Sequence, residues 1–137
     1  MVSLFRGGVA DVDKVRKLCP LPRASDELRE IARSLKAYKK EALYLGERAT
    51  ETMVKKVNLN DCKVIAFATH GLLSTDTRKL GSVVEPALVL TPPDKATEED
   101  DGLLTASEIA QLRMEADFVI LSACNTAAGE EGSAEGL

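Results

Sequence analysis

His70, the single histidine of this chain, and Cys124, one of its three cysteines, are the residues best suited to catalysis. A thiolate is a strong nucleophile, but a cysteine with an ordinary pKa of about 8.5 is mostly protonated at neutral pH and needs a neighbouring base. A histidine, with a pKa of about 6.5, can take that proton and later give it to a leaving amine. The two side chains are therefore a sufficient pair for nucleophilic attack on a carbonyl.

Each of these residues follows an apolar run that is typical of a strand buried in a parallel sheet. Residues 63–69 (Lys-Val-Ile-Ala-Phe-Ala-Thr) lead to His70, and residues 117–123 (Asp-Phe-Val-Ile-Leu-Ser-Ala) lead to Cys124. Neither run alternates between polar and apolar residues, which indicates cover on both faces. Ligands bind such sheets beyond the carboxyl ends of the strands. We therefore expect both strands to end at these residues and to bring them to one edge of the sheet.

The first part of the chain must supply helices around these strands. Residues 1–20 show no sustained period and are expected to be irregular. Apolar residues at helical spacing predict a helix from Ser25, which is placed to cap it, to Tyr38. The short apolar run 42–45 favours a brief strand, and Thr50 is placed to open another helix.

The later part continues the alternation of strands and helices. Residues 87–90 predict a second short strand, and the loop 95–101, with four acids, is expected to be solvated. Thr105 and Glu108 have the spacing of a capping box and predict a helix start. This order indicates an α/β domain with a mainly parallel sheet.

Composition excludes several classes of partner. The chain has 18 basic and 22 acidic residues, a net charge of −4, and no basic face with interleaved aromatic residues. We therefore expect no binding to nucleic acid or to an anionic membrane surface. The longest apolar run, 64–68, is too short to cross a bilayer, and the first residues contain no apolar stretch of signal-peptide length, so we expect a cytoplasmic protein.

The cysteines indicate a reducing compartment. Cys19, Cys62 and Cys124 are odd in number and widely separated, which is not the usage of a disulfide scaffold. With one histidine and no CxxC pair, we expect no metal site and no cofactor. Cys62 stands at the start of the strand that leads to His70, and Cys19 lies in the irregular segment, so neither is expected to be the nucleophile.

Taken singly, neither residue indicates catalysis. A lone cysteine in an apolar strand is usually a small core residue, and a lone histidine is usually structural or exposed. Their spacing is more informative, because they stand 54 positions apart (70 to 124), close to the separation of about 50 residues in caspases.

Four motifs, in order and with appropriate gaps, resemble the signature series of the CHAT family of caspase-like and separase-like cysteine peptidases. They are residues 67–71 (Phe-Ala-Thr-His-Gly), 85–91 (Glu-Pro-Ala-Leu-Val-Leu-Thr), 101–109 (Asp-Gly-Leu-Leu-Thr-Ala-Ser-Glu-Ile) and 121–126 (Leu-Ser-Ala-Cys-Asn-Thr). A single motif of this kind is weak evidence, whereas four linked motifs are strong evidence.

The resemblance implies a caspase-like three-layer α/β/α fold and a catalytic dyad. His70 matches the family's general base and acid, and Cys124 its nucleophile. The backbone amides of Gly71 and Cys124 would stabilise the oxyanion, since amides aimed at developing charge need no side chain. Ser122, two positions before the nucleophile, would border the pocket for the side chain that precedes the scissile bond.

The resemblance begins at about Leu21, so residues 21–137 are expected to be a partial CHAT domain, incomplete at its C-terminus. The family continues beyond this point, which implies an unpaired sheet edge, an open substrate pocket and little activity of the chain alone. The same likeness implies a module of a larger bacterial protein, regulated by helical repeats or by a partner protein.

Two other functions are weighed against an endopeptidase acting on protein or peptide substrates. A catalytically inactive, caspase-like interaction or scaffold domain would not need its cysteine near its histidine. A small nucleotide-binding α/β domain would need a phosphate-binding loop. The glycine-containing tail 127–137 lacks GxGxxG and the Lys-Ser/Thr ending, and its three glutamates would repel phosphate.

Overall fold

The computed structural model describes residues 8–18 and 21–124, which form a mixed α/β structure. Its α-helices are α1 (Val12–Arg16), α2 (Ala24–Ser34), α3 (Glu51–Lys56), α4 (Ser74–Lys79) and α5 (Ala106–Gln111). Its strands are β1 (Val64–Leu72), β2 (Ala87–Val89), β3 (Leu103–Thr105) and β4 (Phe118–Cys124), and single 3-10 turns lie at Lys40–Ala42, Gly46–Arg48 and Leu59–Asp61. Cys19 and the tail 127–137 lie outside the described residues. No helix in the described part is long and apolar enough to span a bilayer.

The four strands form one sheet in the order β3-β2-β1-β4. Strands β1 and β4 are parallel, whereas β1 with β2 and β2 with β3 are antiparallel. The α/β class is thus confirmed, but a mainly parallel sheet is not. For β3, which the sequence pattern does not reveal, the reason is that no helix separates it from β2, and parallel neighbours need a long crossover connection, usually a helix. Strands β1 and β2 are antiparallel although helix α4 lies between them.

The N-terminal segment is part of the domain core. Prediction of an irregular segment is wrong for Val12–Arg16, which form helix α1, capped by the Asp11 carboxylate on the amides of Asp13 and Lys14. Val15 of this helix is only 2% exposed and packs with Leu72 and Leu103. The hydrophobic core therefore lies on the side of the sheet formed by β2 and β3.

Helix α2 is shorter than predicted, and its cap differs. It begins at Ala24, so Ser25 lies inside the first turn, and no side chain caps it. It ends at Ser34, because Lys36 adopts a left-handed backbone with φ of 56°. Tyr38 lies beyond the helix and is exposed. The strand predicted at residues 42–45 is absent from the structure, which has a 3-10 turn at Lys40–Ala42.

The two predicted helix starts at threonine are confirmed. The Thr50 hydroxyl accepts a hydrogen bond of 3.1 Å from the amide of Met53 and so caps α3. At α5, Thr105 accepts from the amide of Glu108 and the Glu108 carboxylate accepts from the amide of Thr105, at 3.4 and 2.9 Å. This reciprocal pair is a capping box, as the spacing predicts.

Strand β4 is exposed, in contrast to the buried strand that its apolar sequence predicts. Phe118 is 68% exposed and Leu121 60%, and Val119 and Ile120 are also exposed. Within the described residues β4 is the edge strand and pairs with β1 alone. Its apolar side chains therefore lack neighbours on the outer side, although their composition is that of an interior strand.

The acidic loop 95–101 is not wholly solvated, because its last two carboxylates are buried. Asp101 is fully buried and accepts hydrogen bonds from the amides of Ala10 and Leu103, at 2.6 and 3.0 Å. Asp100 accepts from the hydroxyl of Thr52 at 2.7 Å. These carboxylates satisfy buried backbone and side-chain donors, which explains why a loop of four acids folds inward.

Helix α3 contributes a further buried carboxylate to this network. Glu51 is fully buried and accepts from the amides of Asp101 and Gly102, at 2.6 and 2.9 Å. Gly102 has a φ of +86°, and a Cβ there would lie 2.8 Å from the Cβ of Pro92. Only glycine fits this turn. The turn brings the amide of Gly102 within hydrogen-bond distance of the buried Glu51 carboxylate.

We expect Asp101→Ala to lower the free energy of unfolding by about 3 kcal/mol, because it removes the carboxylate that accepts hydrogen bonds from two buried amides. Urea unfolding followed by circular dichroism measures this change. Asp94→Ala, which removes an exposed carboxylate just before the same loop, is the matched control and should cost less than about 0.5 kcal/mol. Equal effects of the two substitutions would contradict the role given to Asp101.

Candidate active site

His70 lies inside strand β1 and is buried, with 7% of its surface exposed. The prediction that the strand ends before this histidine is wrong. Strand β1 continues to Leu72, because Gly71 and Leu72 pair with Leu88 and Ala87 of β2. Within the described residues, His70 is therefore the last β1 residue paired with β4, and the pairing with β2 begins at Gly71.

Strand β4 brings the backbone of Cys124 next to that of His70. The parallel ladder runs in register from Val64 opposite Phe118 to His70 opposite Cys124. Adjacent strands lie about 4.8 Å apart, so the two Cα atoms are direct neighbours across the ladder. Residues 54 positions apart in sequence are thus brought together by one strand pairing.

The two strands approach closely beside this pair. A Cβ on Gly71 would lie 3.3 Å from the Cβ of Ala123, which is tighter than an ordinary van der Waals contact. The hydroxyl of Thr69 donates a hydrogen bond to the carbonyl of Val89, which ties the same stretch of β1 to the end of β2. The backbone around His70 is therefore held from both neighbouring strands.

Ser122, the residue predicted to border a substrate pocket, contacts helix α2. Its hydroxyl donates a hydrogen bond of 3.0 Å to the carboxylate of Glu27. Glu27 lies in the first turn of α2 and is exposed. Glu27 cannot be recognised as a site residue from the sequence, because an acid in the first turn of a helix is already explained by the helix dipole.

A largely apolar cavity of about 690 Å³ lies between helix α2 and the sheet. Leu28 and Ile31 of α2 line it on one side, and Phe67 and His70 of β1 on the other. Pockets of this size and character accept small molecules or side chains. His70 is therefore among the residues that line a concave, largely apolar space.

The described alternative cysteine is remote from His70. Cys62 is partly buried and lies two residues before β1, where its sulfur is 3.8 Å from the carbonyl oxygen of Asn58. Val64 and His70 are six positions apart along the strand, a length of about 20 Å. Cys62 is therefore at the opposite end of β1 from the histidine.

Among the described residues, no group of three or more histidine, cysteine, aspartate or glutamate side chains is arranged to hold a metal ion. The buried carboxylates around Asp101 instead accept hydrogen bonds from backbone amides. They form a structural network of hydrogen bonds.

Comparison with known proteins gives one finding. The family model described as CHAT domain matches residues 8–137. The match therefore includes helix α1, which the motif resemblance, beginning at about Leu21, leaves out. No curated protein matches the chain, and no solved structure matches it.

The close contact between Gly71 and Ala123 can be tested by a double-mutant cycle. We expect Gly71→Ala to lower the free energy of unfolding by about 1 kcal/mol, because the new methyl group must displace β4. Ala123→Gly should relieve that strain, so it should be less costly in the Gly71→Ala background than in the wild type. Strictly additive effects in urea unfolding would show that the two strands do not meet there.

Proposed function

The chain belongs to the CHAT family, and from this premise we propose that it carries the catalytic core of a cysteine endopeptidase. The single observation that supports the proposal best is the strand register that sets His70 opposite Cys124. A scaffold domain needs no such pairing, whereas a dyad must bring a sulfur and an imidazole within reach of each other.

In this proposal His70 takes the thiol proton of Cys124, and the thiolate attacks the carbonyl carbon of the scissile peptide bond. The resulting oxyanion is stabilised by the backbone amides of Gly71 and Cys124. His70 then gives its proton to the leaving amine as the carbon–nitrogen bond breaks, which leaves a thioester. Water, deprotonated by His70, hydrolyses the thioester and restores the thiol.

The surroundings of His70 suit a proton carrier. Burial excludes bulk water from the imidazole, and strand pairing on both sides of β1 fixes its backbone. A base held in this way loses little entropy when it reaches the transition state. The apolar cavity beside it offers space for part of a peptide substrate, and Ser122 borders the approach to the nucleophile.

The proposal includes a caspase-like arrangement of layers around the β1–β4 pair. Helix α2 packs against β1 on one face of this pair, and the parallel ladder carries the histidine and the cysteine on adjacent strands. Ligand sites of such parallel pairs lie toward the carboxyl ends of the strands, where both residues stand.

We expect iodoacetamide to alkylate Cys124 about tenfold faster than Cys62 at neutral pH, because a neighbouring imidazole raises the thiolate fraction. Mass spectrometry of peptides after timed labelling measures both rates in the same sample, so Cys62 is the internal control. His70→Ala should abolish the preference. Equal rates in the wild type, or a preference that survives His70→Ala, would argue against the dyad.

The peptidase activity itself is tested on the full natural protein with a library of quenched fluorescent peptides. We expect cleavage that Cys124→Ala lowers by at least about a thousandfold, since loss of a nucleophile removes the covalent step. Cys62→Ala is the matched control and should cleave like the wild type. Absence of cleavage together with unselective alkylation would favour the inactive scaffold domain.

A further inference from the structure

One side-chain hydrogen bond connects helix α2 to strand β4. The hydroxyl of Ser122 donates to the Glu27 carboxylate over 3.0 Å, across 95 positions of sequence. Of the β4 residues before Cys124, Ser122 alone has a polar side chain. The strand therefore has one site before the nucleophile at which a helix can hold it by a side-chain hydrogen bond.

The register of β4 is weakly specified by hydrophobic burial. In most strands a one-residue slip is costly because it moves buried side chains to the solvent face. In β4 the residues 118–121 are all large, apolar and exposed, on both faces of the sheet. A slip along β1 would exchange one exposed apolar side chain for another, so burial alone does not select the observed pairing.

The hydrogen bond from Ser122 does distinguish between registers. A slip of one residue in either direction would place Leu121 or Ala123 opposite Glu27, and neither side chain has a donor. Helix α2 also packs against β1, the strand that carries His70. Glu27 therefore links β4 to a helix that also packs against β1, the strand that carries the proposed base.

We propose that Glu27 is a positioning residue whose hydrogen bond to Ser122 fixes the register in which Cys124 stands opposite His70. The inference deepens the proposed peptidase function, and its catalytic consequence depends on that function. Glu27 does not touch the reacting atoms; it acts through Ser122, two residues before the nucleophile. Ser122 accordingly serves to anchor the strand as well as to border the pocket.

A purely electrostatic role for Glu27 predicts a different outcome. A carboxylate near the nucleophile disfavours the thiolate, so Glu27→Gln would then raise the reactivity of Cys124. In a positioning role the amide oxygen of glutamine still accepts the Ser122 hydrogen bond, whereas Glu27→Ala removes the acceptor. The two substitutions therefore separate geometry from charge.

The test measures peptide cleavage by the full protein and amide hydrogen exchange in β4. We expect Glu27→Ala and Ser122→Ala each to lower kcat about tenfold with little change in KM, since a misplaced reacting group affects the chemical step most. The double variant should be no worse than either single variant. Glu27→Gln should recover most of the lost kcat, and peptides covering residues 117–124 should exchange faster in the two alanine variants only.

Glu30→Ala is the matched control, because it removes an exposed carboxylate from the same helix and should leave kcat and exchange unchanged. Unchanged exchange in Glu27→Ala, or additive losses in the double variant, would overturn the inference. If the wild type cleaves no peptide, the proposed function fails. Faster exchange in Glu27→Ala and Ser122→Ala, recovered in Glu27→Gln, would still establish the register role.

Discussion

The parallel ladder between β1 and β4 is the constraint on which the candidate site depends. Backbone hydrogen bonds in a ladder fix strands in steps of one residue, so each Cα has one defined partner. The ladder begins where the carbonyl of Lys63 accepts from the amides of Asp117 and Phe118, at 2.8 and 3.1 Å. Counting from that start, the last pair in the described part of the chain is His70 with Cys124. The distance between the proposed base and nucleophile is therefore set by where the ladder begins.

The β1–β4 ladder lies at one side of the sheet, and the buried hydrophobic core lies at the other side. Val15, Leu72 and Leu103 belong to one buried cluster around β2 and β3, and the buried Asp101 ties the N-terminal segment to β3 by hydrogen bonds to Ala10 and Leu103. Strand β4 has no comparable cover in the described residues. Strand β1 is the one element that belongs to both parts.

Glu51 and Asp101 show why a signature motif can be structural. The stretch 101–109 contains a buried carboxylate, a glycine that accepts a positive φ and the capping box of α5. Glu51, from α3, accepts hydrogen bonds from the amides at positions 101 and 102. None of these groups is adjacent to Cys124 in sequence, and none lies on β1, the strand that pairs with β4. The motif instead directs β3 and α5 to the core that supports β1.

The sequence predicted those elements whose signals are local. Thr50 and Thr105 cap helices as their spacing indicates, because a cap involves residues three positions apart. The two apolar runs also predicted strands of a parallel sheet at residues 63–69 and 117–123, but not that β1 and β4 are direct neighbours. Helix α1 was missed because it is short and the segment before it is held by Asp101, which accepts from the amide of Ala10 across 91 positions. Strand β3 was missed because its three residues are too few to show a strand period.

The sequence predicts only those candidate site residues whose side-chain type itself indicates a chemical role. His70 and Cys124 are identified by their chemistry, whereas Glu27 has the composition of any solvated first-turn acid. Its partner Ser122 is 95 positions away, and no local pattern encodes that contact.

An edge strand with apolar residues on both faces explains why such a contact matters. Burial fixes register when one face is apolar and the other polar, and β4 lacks that asymmetry. An uncharged edge strand also has nothing that prevents it from pairing in other ways. A polar side chain at one position of β4 then has a disproportionate effect, because its hydrogen bond is lost in every alternative register. Hydrophobic patterning leaves the register of β4 open, so in the proposed role of Glu27 the position of Cys124 opposite His70 depends on this one polar contact.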